Sequence, residues 1–391
     1  MAGPLSGYRV FDLTLAGVGP WAGKLLGALG ADVIHVFAPD VQLPDVPPTI
    51  NGYGMLKMIA NYNKRGITLD LKSPKDKAIA LKLLERSDVF LENMRAGVVG
   101  RLGLDYDTIS KRNPRIVYCS SSGWGQGGPM SHLPAGDSVI QTFGGWTSVT
   151  GQPGKAGEFF RHWAHLDYNT SVYIVEGILQ GLLHRERTGR GQKIELTMLG
   201  AAMSLQTSRL AEFFATGKTP SRMGSGNTTT VPHQAFLCQD GRWLMLGVVQ
   251  EEQWPRLCRA IGKEELIADP RFATNPLRVQ QRDALIPILE DVFSTKPVRW
   301  WEIRLSEAMV PHGRALSFDS LRWHPQVTEN QHMVQMETPR WGTFYTEGLP
   351  WRFSETPGRT FRAPWLGEHT KEIVEELGMA GEPAVQAKQR P

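Results

Sequence analysis

The amino-acid sequence predicts an α/β protein, with a large domain built on a parallel sheet and a smaller α+β domain. Short apolar runs alternate with helical patterns through the first hundred residues, which is typical of a chain that passes repeatedly from strand to helix. The predicted strands are apolar on both faces, as expected of a parallel sheet covered by helices. After Gly224 the pattern changes to a hairpin followed by helices, and we therefore place the smaller domain at about 225–330.

The first three elements form a strand–helix–strand unit. Tyr8–Leu13 is predicted as a strand, Trp21–Leu29 as a helix and Val33–Phe37 as the next strand. Ile67–Leu71 follows as a strand, and Pro74 opens a helix, where a proline in the first turn costs little. The remaining buried strands of this part are predicted at Asp88–Leu91 and Ile116–Cys119.

The glycine-rich segment Gly123–Pro129 leaves the end of a predicted strand. In open α/β sheets ligands bind at the carboxyl ends of the strands, so this loop is a candidate part of a site. Thr170–His184 has the apolar spacing of a long helix, and Lys193–Leu196 is predicted as a strand.

The smaller domain begins with a hairpin signal. Two apolar runs flank the Asp240-Gly241 turn, which is the arrangement that a tight β-hairpin requires. The runs and the two helices that follow them are predicted at Ala235–Leu237, Trp243–Val248, Glu252–Ile261 and Arg282–Phe293.

Composition and charge limit the class of protein. A length of 391 residues suggests two or three domains, and 41% hydrophobic with 21% charged residues indicates a soluble globular chain. The 43 Lys and Arg exceed the 39 Asp and Glu by only four, which is too few to indicate nucleic-acid binding.

The cysteines and the N-terminus predict a cytoplasmic protein. Three cysteines, at positions 119, 238 and 258, cannot form a disulfide framework and stand at no metal-ligand spacing. The first residues lack the apolar core of a signal peptide, and no apolar run approaches the roughly 18 residues of a membrane span.

The segment Gly17–Ala22 fits the glycine pattern of a dinucleotide-binding turn. Such a site also needs an acidic residue at the end of the second strand, where this chain has Phe37, and Pro20 removes one N–H group from the turn. The sequence therefore argues against NAD(P), although glycines here still permit a ligand to approach the backbone closely.

Asp167 stands just before the predicted long helix and has two interpretations. Asn169 and Thr170 are capping residue types, and capping is the commonest role of an aspartate at such a place, so spacing alone favours an N-cap. A carboxylate near a helix N-terminus is also stabilised in its charged form and is able to act as a nucleophile.

His162 and His165, which precede Asp167, are more simply explained by packing or loop hydrogen bonds than by metal ligation. No cysteine or third histidine stands at ligand spacing. We therefore assign no metal.

Taken together, these stretches resemble the family III CoA-transferases, the group that contains formyl-CoA and carnitine CoA-transferases. The similarity runs through most of the chain, in the family's order. It is carried by Val10–Thr14, the Gly19-Pro20 turn, Leu29–His35, Asn63–Pro74, Leu91–Val98, Arg101–Leu104, Asn113–Arg115, Gly123–Pro129, Arg187–Gln192 and Trp365–Thr370.

The resemblance implies a large Rossmann-like domain at 1–224, completed by 331–391, a small domain at 225–330, and an interlocked dimer. Homodimers and heteromers with a related subunit both remain open. The Asp-x-Asn-Thr setting of Asp167 matches the family's nucleophilic aspartate, so the resemblance favours the nucleophile over the cap. It further implies that CoA is present as a thioester substrate, with no tightly bound cofactor.

The family's CoA contacts map onto specific positions of this chain. The resemblance places the segment from Leu69 to Lys72 near the adenine of CoA. It places Arg101 at a phosphate, with Asn93 and Met94 nearby. A guanidinium is well suited to phosphate oxygens. The thioester end is expected near Val18, Gly19, Gly136 and Asp137, with a loop at Gly224 and Gly226 closing over the site.

Two departures from the family pattern bear on function. Phe37-Ala38 replaces a charged residue often found there, and Met94 stands where phenylalanine is usual. Acyl-CoA racemases of the same fold need a histidine just before the acid of an Ala-Gly-His-Asp motif, whereas this chain has Ala135-Gly136-Asp137. Racemization needs two positioned acid/base groups, so this alternative is disfavoured. A second alternative, an inactive subunit of a hetero-oligomeric transferase, is disfavoured because Asp167 is retained.

One hypothesis about the donor and acceptor acids concerns the tryptophans. Trp21, Trp124, Trp146 and Trp163 lie in or near the predicted active-site loops. They suit either an apolar pocket for an aromatic or bulky dicarboxylic acid or simple core packing. A benzylsuccinate-like acceptor with succinyl-CoA as donor fits the first interpretation.

Overall fold

The computed structural model describes residues 3–39, 49–50, 53–159, 164–338 and 342–379. The chain divides into two compact units. The first comprises Met1–Gly144, Phe160–Thr207 and Thr328–Pro391, and the second comprises Gly145–Phe159 and Ser208–Val327.

The strands of the described residues are β1 (Arg9–Leu13), β2 (Asp32–Phe37), β3 (Thr49–Ile50), β4 (Tyr53–Gly54), β5 (Arg65–Thr68), β6 (Val89–Glu92), β7 (Val117–Ser122), β8 (Lys193–Thr197), β9 (His233–Leu237), β10 (Trp243–Gly247), β11 (His312–Arg314), β12 (Met333–Thr338) and β13 (Gly342–Glu347).

The α-helices are α1 (Val18–Ala28), α2 (Met55–Asn61), α3 (Pro74–Glu85), α4 (Val98–Arg101), α5 (Tyr106–Arg112), α6 (Asp137–Phe143), α7 (Trp146–Val149), α8 (His165–Thr188), α9 (Met198–Leu205), α10 (Thr207–Thr216), α11 (Gln253–Ala260), α12 (Glu265–Ala268), α13 (Asn275–Gln280), α14 (Arg282–Phe293), α15 (Val298–Glu307), α16 (Phe318–Arg322), α17 (Pro325–Glu329) and α18 (Thr370–Glu376). A short 3₁₀ helix spans Pro270–Phe272.

A six-stranded parallel sheet organises the first unit, in the order β5-β2-β1-β6-β7-β8. Five of the six strands are buried on both faces because helices cover the sheet, whereas the edge strand β8 is partly exposed. One core cluster contains Phe11, Ile34, Ile67, Phe90 and Tyr118. The predicted α/β class with a parallel sheet is confirmed. The carboxyl ends of β1, β5 and β6 therefore face the same edge, where open sheets of this kind bind ligands.

The outer edge of β5 is covered by the C-terminal segment rather than by another strand. The backbone N–H groups of Gly66 and Thr68 donate to His369 Nδ1 at 3.1 Å and to Thr370 Oγ1 at 3.2 Å. Arg65 forms ion pairs with Glu372 and Glu376 of α18 at 2.7 and 2.6 Å. Side chains thus satisfy a strand edge that would otherwise present free donors.

A buried ion pair lies under α1. The Lys64 ammonium donates to Asp12 Oδ2 at 2.8 Å and to Asn61 Oδ1 at 3.0 Å, and His35 Nδ1 lies 3.1 Å from the same Asp12 oxygen. Asp12 and Lys64 are both fully buried. Burial opposes the charge on Asp12, but Lys64 and His35 more than offset it, so the pKa of Asp12 lies below its usual range.

The second unit has the predicted α+β texture. Its antiparallel sheet has the order β11-β10-β9, and β9 and β10 form the hairpin expected around Asp240-Gly241. The helices pack on this sheet around Phe236, Trp254 and Phe293, all fully buried.

The prediction began the small domain at 225, whereas 145–159 and 208–224 lie in the second unit. Hydrogen bonds explain the difference: Gly224 N–H donates to the Gly151 carbonyl at 2.8 Å, and Arg222 donates to the Ser148 carbonyl at 3.1 Å. These contacts join two segments that are about seventy residues apart in the sequence, which the local pattern did not reveal.

Candidate active site

Asp167 lies in the first turn of α8, which begins at His165, five residues before the predicted helix. The helix follows Ala164, whose φ of 48° is left-handed and whose side chain makes no capping hydrogen bond. Asp167 is therefore inside the helix rather than at its N-cap. The capping interpretation of Asp167, which spacing alone favoured, does not describe this position.

The first turn of α8 is capped from another segment. Asp137, the first residue of α6, accepts the backbone N–H groups of Leu166 at 2.7 Å and Asp167 at 3.1 Å on its Oδ2 atom. Its second oxygen accepts a hydrogen bond from the Gln141 side-chain amide. Both oxygens of Asp137 are thus engaged within the protein.

The Asp167 carboxylate faces the loop that enters α1. A β-carbon placed on Gly17 would lie only 2.8 Å from Asp167 Oδ2, so a glycine at this position lets the loop approach the carboxylate. Gly17 is the N-cap residue of α1 and has an ordinary φ of −102°. Its importance is therefore the absence of a side chain and not an unusual backbone.

Burial and, to a lesser extent, the negative charge of Asp137 together raise the pKa of Asp167 to about 7. A carboxylate with such a pKa is about half protonated at neutral pH. Once it loses its proton it is more basic, and hence a stronger nucleophile, than an ordinary aspartate.

Hydrogen bonds fix the loop between β1 and α1. The Asn93 side-chain amide donates to the Leu15 carbonyl and accepts from the Leu15 N–H, both at 2.8 Å. Ser171 Oγ, one turn after Asp167, donates to the Val18 carbonyl at 2.6 Å. Ala16, with a left-handed φ of 63°, lies between these anchors. The loop that faces Asp167 is therefore held from β6 and from α8.

Aromatic side chains lie next to Asp167. The Trp21 ring packs edge-to-face on Tyr168 with centroids 5.4 Å apart. The Lys24 ammonium lies 4.7 Å from the centroid of the Tyr62 ring and 5.6 Å from that of Tyr168, and it pairs with Glu347. Gly17, Trp21 and Lys24 are spaced along one face of α1, and this face is directed toward α8.

The other predicted tryptophans are placed differently. Trp124 packs edge-to-face on Phe143 of α6 at 4.9 Å, and its indole N–H donates to the Pro134 carbonyl at 3.2 Å. Trp146 belongs to the second unit, and Trp163 lies outside the described residues.

The positions predicted for CoA follow the carboxyl ends of β5 and β6. Leu69 is fully buried in the core, and its N–H donates to the Phe37 carbonyl at 2.9 Å. Lys72 and Arg101 are exposed, and Met94 is half-buried against the core cluster. Asn93 uses its amide on Leu15, as described above.

The remaining predicted positions are as follows. Val18 and Gly19 form the buried first turn of α1, and Gly136 precedes α6 in an extended conformation. Gly224 and Gly226 belong to the second unit.

His162 lies outside the described residues, and His165 opens α8. Across the ranges given above, no three His, Cys, Asp or Glu residues are grouped as a metal would require.

Sequence reasoning missed the contacts that hold Asp167. Gly17 was noted only as part of a dinucleotide pattern, and Ser171 and Gln141 were not singled out. Ser171, at i+4 from Asp167 on a predicted helix, carried a weak signal. The link from Asp137 to Asp167 carried none, because thirty residues separate the two positions.

Helices of the described part of the chain are all too short or too polar to span a membrane.

Comparison with known proteins places these features in context. The sequence profile of CoA-transferase family III matches residues 5–370. The chain is 33% identical to mouse succinyl-CoA:glutarate CoA-transferase, over 98% of this chain and 88% of that protein. It is 35% identical to formyl-CoA:oxalate CoA-transferase of Streptomyces coelicolor, over 97% and 96%. The crystal structure of a CAIB/BAIF family protein from Brucella suis matches with a TM-score of 0.85 and 30% identity, covering 96% of this chain and all of that one.

Proposed function

The chain belongs to CoA-transferase family III, and we propose that Asp167 is the nucleophile through which it moves CoA from an acyl-CoA thioester to a free carboxylic acid. The observation that carries the proposal is the Asp167 carboxylate itself. It lies against the glycine loop at the carboxyl edge of the sheet, and its pKa is raised to about 7.

The chemistry explains why a carboxylate is needed. A thiolate cannot displace oxide from a free carboxylate at a useful rate, so the acceptor must first be activated. The proposed reaction begins when an Asp167 oxygen attacks the donor thioester carbonyl; the carbon–sulfur bond breaks, CoA thiolate leaves, and a mixed anhydride forms. The thiolate then attacks the aspartyl carbonyl of this anhydride, releases the donor acid as its carboxylate and leaves CoA on Asp167 as a thioester.

The second half of the reaction reverses these steps with the acceptor. The acceptor carboxylate attacks the aspartyl-CoA thioester, forming a new anhydride and free CoA thiolate. The thiolate attacks the acceptor carbonyl, which yields the product acyl-CoA and restores the Asp167 carboxylate. Covalent catalysis thus divides one difficult exchange into easier steps.

The surroundings of Asp167 supply further parts of this mechanism. We assign the backbone N–H groups of Val18 and Gly19, at the N-terminus of α1, to the oxyanion that develops on the thioester carbonyl. Anhydrides hydrolyse, so the site must exclude water. Closure of the loop that contains Gly224 and Gly226 is the proposed way of doing so.

For CoA itself, we propose that the backbone at Leu69–Lys72, with Met94, holds the adenine and that Arg101 pairs with a phosphate. The exposure of Lys72 and Arg101 supports this assignment, as does the position of these residues after β5 and β6. Asn93 is proposed to act at the pantetheine end, where it anchors the loop at Leu15. Gly136 is placed at the thioester end.

The proposed acceptor is an aromatic or bulky dicarboxylic acid, such as benzylsuccinate, with succinyl-CoA as the donor. The aromatic pair Trp21 and Tyr168 beside Asp167 supports an apolar acceptor. Several relatives are named for dicarboxylic acids, namely succinate, glutarate and oxalate. A screen of acyl-CoA donors against small acids, read by mass spectrometry, tests this choice.

We also propose a cytoplasmic enzyme that works as a dimer or as a heteromer with a related subunit. Three free cysteines, all buried, suit a reducing compartment. Val172, Leu179 and Leu183 expose apolar side chains along one face of α8, which supports an association surface.

Trapping of the covalent intermediate tests the central proposal. Enzyme incubated with acyl-CoA and no acceptor is expected to accumulate an acyl-aspartyl or aspartyl-CoA species. Hydroxylamine should convert it to a hydroxamate, and borohydride should reduce it to homoserine, within the tryptic peptide 162–185. A modified residue elsewhere would overturn the assignment of Asp167, and no modification at all would indicate direct transfer in a ternary complex.

The racemase alternative has its own measurement. In deuterated water without acceptor acid, an α-chiral acyl-CoA should gain no α-deuterium, because Gly136 offers no side chain that could serve as a base. Rapid incorporation would reassign the reaction class.

A further inference from the structure

We propose that Asp137 is a positioning residue for this reaction, which holds the first turn of α8 so that the Asp167 carboxylate is aimed at the thioester. The inference rests on the proposed role of Asp167. It replaces the expectation, implied by the family resemblance, that Asp137 contacts CoA.

The hydrogen bonds of Asp137 point inward. One oxygen accepts from the N–H groups of both Leu166 and Asp167, and the other accepts from Gln141, one turn further along α6. A carboxylate engaged on both oxygens has little capacity left for a ligand. Its principal partner is the backbone of the nucleophile itself.

The N-terminus of α8, the helix that carries Asp167, needs a hydrogen-bond acceptor from outside the helix. The first N–H groups of a helix have no acceptor within the helix, and a preceding Ser, Thr, Asp or Asn usually supplies one. Here the N-cap residue is Ala164, in a left-handed conformation and without a capping side chain. Asp137 supplies from α6 the acceptor that the local sequence lacks.

A second anchor makes the placement specific. The Ser171 hydroxyl, on the next turn of α8, lies 2.6 Å from the Val18 carbonyl oxygen and 2.8 Å from the Asp167 carbonyl oxygen, and its one proton is shared between these two acceptors. The backbone of Asp167 is therefore held at its N–H by α6, and its carbonyl shares a hydroxyl with α1. The side chain between these two anchors is the one that faces Gly17.

The charge of Asp137 has a separate effect that a substitution can isolate. Around Asp167, α6 contributes the Asp137 carboxylate, and α1 contributes Lys24, which is paired with Glu347 of β13. On α8 itself the neighbouring titratable groups are His165 and Tyr168. Asp137 is the anion in contact with the Asp167 backbone, and its charge adds to burial, the larger cause, in raising the pKa of Asp167. Loss of the charge and loss of the acceptor should therefore have different kinetic signatures.

Two variants separate the effects. Asp137→Asn keeps an oxygen that can accept the two N–H groups but removes the charge, whereas Asp137→Ala removes both. Asp105→Asn is the matched control, because Asp105 caps α5 through the Thr108 N–H at 3.0 Å and belongs to no part of the proposed site.

Steady-state kinetics as a function of pH, on full-length protein, provide the readout. Asp137→Ala should lower kcat by roughly ten- to a hundredfold, since a misplaced nucleophile has effects of this size, with the KM for acyl-CoA within about twofold of wild type. Asp137→Asn should recover most of kcat, and the acidic limb of its kcat/KM profile should move to lower pH. Asp105→Asn should change none of these quantities.

Three results would overturn the inference. If Asp137→Ala raises the KM for acyl-CoA and leaves kcat unchanged, Asp137 is a CoA ligand after all. If the asparagine variant is as slow as the alanine variant and its acidic limb does not move, the effect is merely structural. If both variants have wild-type kinetics, Asp137 has no role. Absence of an adduct at Asp167 in the wild-type enzyme is a different outcome, which rejects the proposed function itself.

Discussion

Helix α1 and its N-cap contact two carboxylates whose surroundings are opposite. A β-carbon on Gly23 would lie 2.5 Å from Asp12 Oδ2, and one on Gly17 would lie 2.8 Å from Asp167 Oδ2. Burial pushes the pKa of both groups upward. Asp12 is matched by Lys64, and its pKa falls below the usual range, whereas Asp167 has another carboxylate nearby, and its pKa rises to about 7.

This difference shows how one helix serves both stability and reactivity. A buried carboxylate with a cation is inert, because its charge is satisfied and its proton affinity is low. A carboxylate with an anion for a neighbour is held in a reactive state at a cost to the fold. The partner of each group, and not its depth, decides which of the two it becomes.

The largest expected effect concerns Asp167, the carboxylate with the raised pKa. Asp167→Ala should lower the rate of CoA exchange by at least about 10⁴-fold, as is usual when a covalent nucleophile is removed. Its thermal midpoint at pH 7 should be equal to or above that of wild type. Near wild-type turnover in this variant would show that Asp167 is not the nucleophile.

The next largest effect concerns the buried ion pair of Asp12 and Lys64. Asp12→Asn leaves the Lys64 ammonium buried without its counter-charge, and we expect a loss of about 3–5 kcal/mol in the free energy of unfolding. Urea denaturation at pH 7 measures it. The double variant Asp12→Leu with Lys64→Met should recover part of the loss: neither charge is then buried, but the buried Thr14 N–H loses its acceptor. A small loss in the single variant would mean that the pair contributes little.

The two glycines offer a matched pair of substitutions. Gly23→Ala should lower the free energy of unfolding by roughly 1–3 kcal/mol, the usual cost of overpacking, while folded protein keeps its kcat. Gly17→Ala should displace the Asp167 carboxylate and lower kcat roughly ten- to a hundredfold, with little change in stability. If both variants lose only stability, or both lose only kcat, then the assignment of Asp12 to stability and of Asp167 to reactivity is wrong.

The smallest effect concerns the pH dependence of stability. The folded pKa of Asp167, about 7, exceeds the unfolded value of about 3.9, so the fold loses stability as pH rises between these values. Asp167→Asn should therefore raise the thermal midpoint by a few degrees at pH 8, and the gain should vanish at pH 4. The lowered pKa of Asp12 has the opposite sign: its contribution is present at neutral pH and is lost in acid, so Asp12→Asn should destabilise at pH 8. Differential scanning fluorimetry across this range distinguishes the two signs.

The sequence predicted the sheet and the hairpin because their signals are local. The apolar runs of β1, β2, β6 and β7 could be read directly, and the helix Arg282–Phe293 has the bounds that were expected. Asp167 was singled out by its motif. The family resemblance that this motif helped to carry is confirmed by the match to residues 5–370.

The rest depended on contacts between distant segments. A charged pair such as Asp12 and Lys64 is normally assumed to be exposed, and only the fold shows that both are buried. The sequence also did not reveal that the side chains of Asn93 and Asp137 form hydrogen bonds with the protein backbone. In each case the residue type indicated a functional or structural role, but the contact partner could not be predicted because it lies far along the chain.

The covered edge of β5 has a consequence for synthesis on the ribosome. All six strands of the parallel sheet have been translated once the ribosome has passed Thr197. His369 and Thr370, which accept hydrogen bonds from the N–H groups of β5, and α18, which pairs with Arg65, follow about 170 residues later. A nascent chain therefore carries an open strand edge while Ser208–Val327, the larger segment of the second unit, is being translated. Such an edge is a template for pairing with other chains. Slow elongation, or a stop between residues 197 and 369, should therefore favour aggregation even though every strand of the parallel sheet is present.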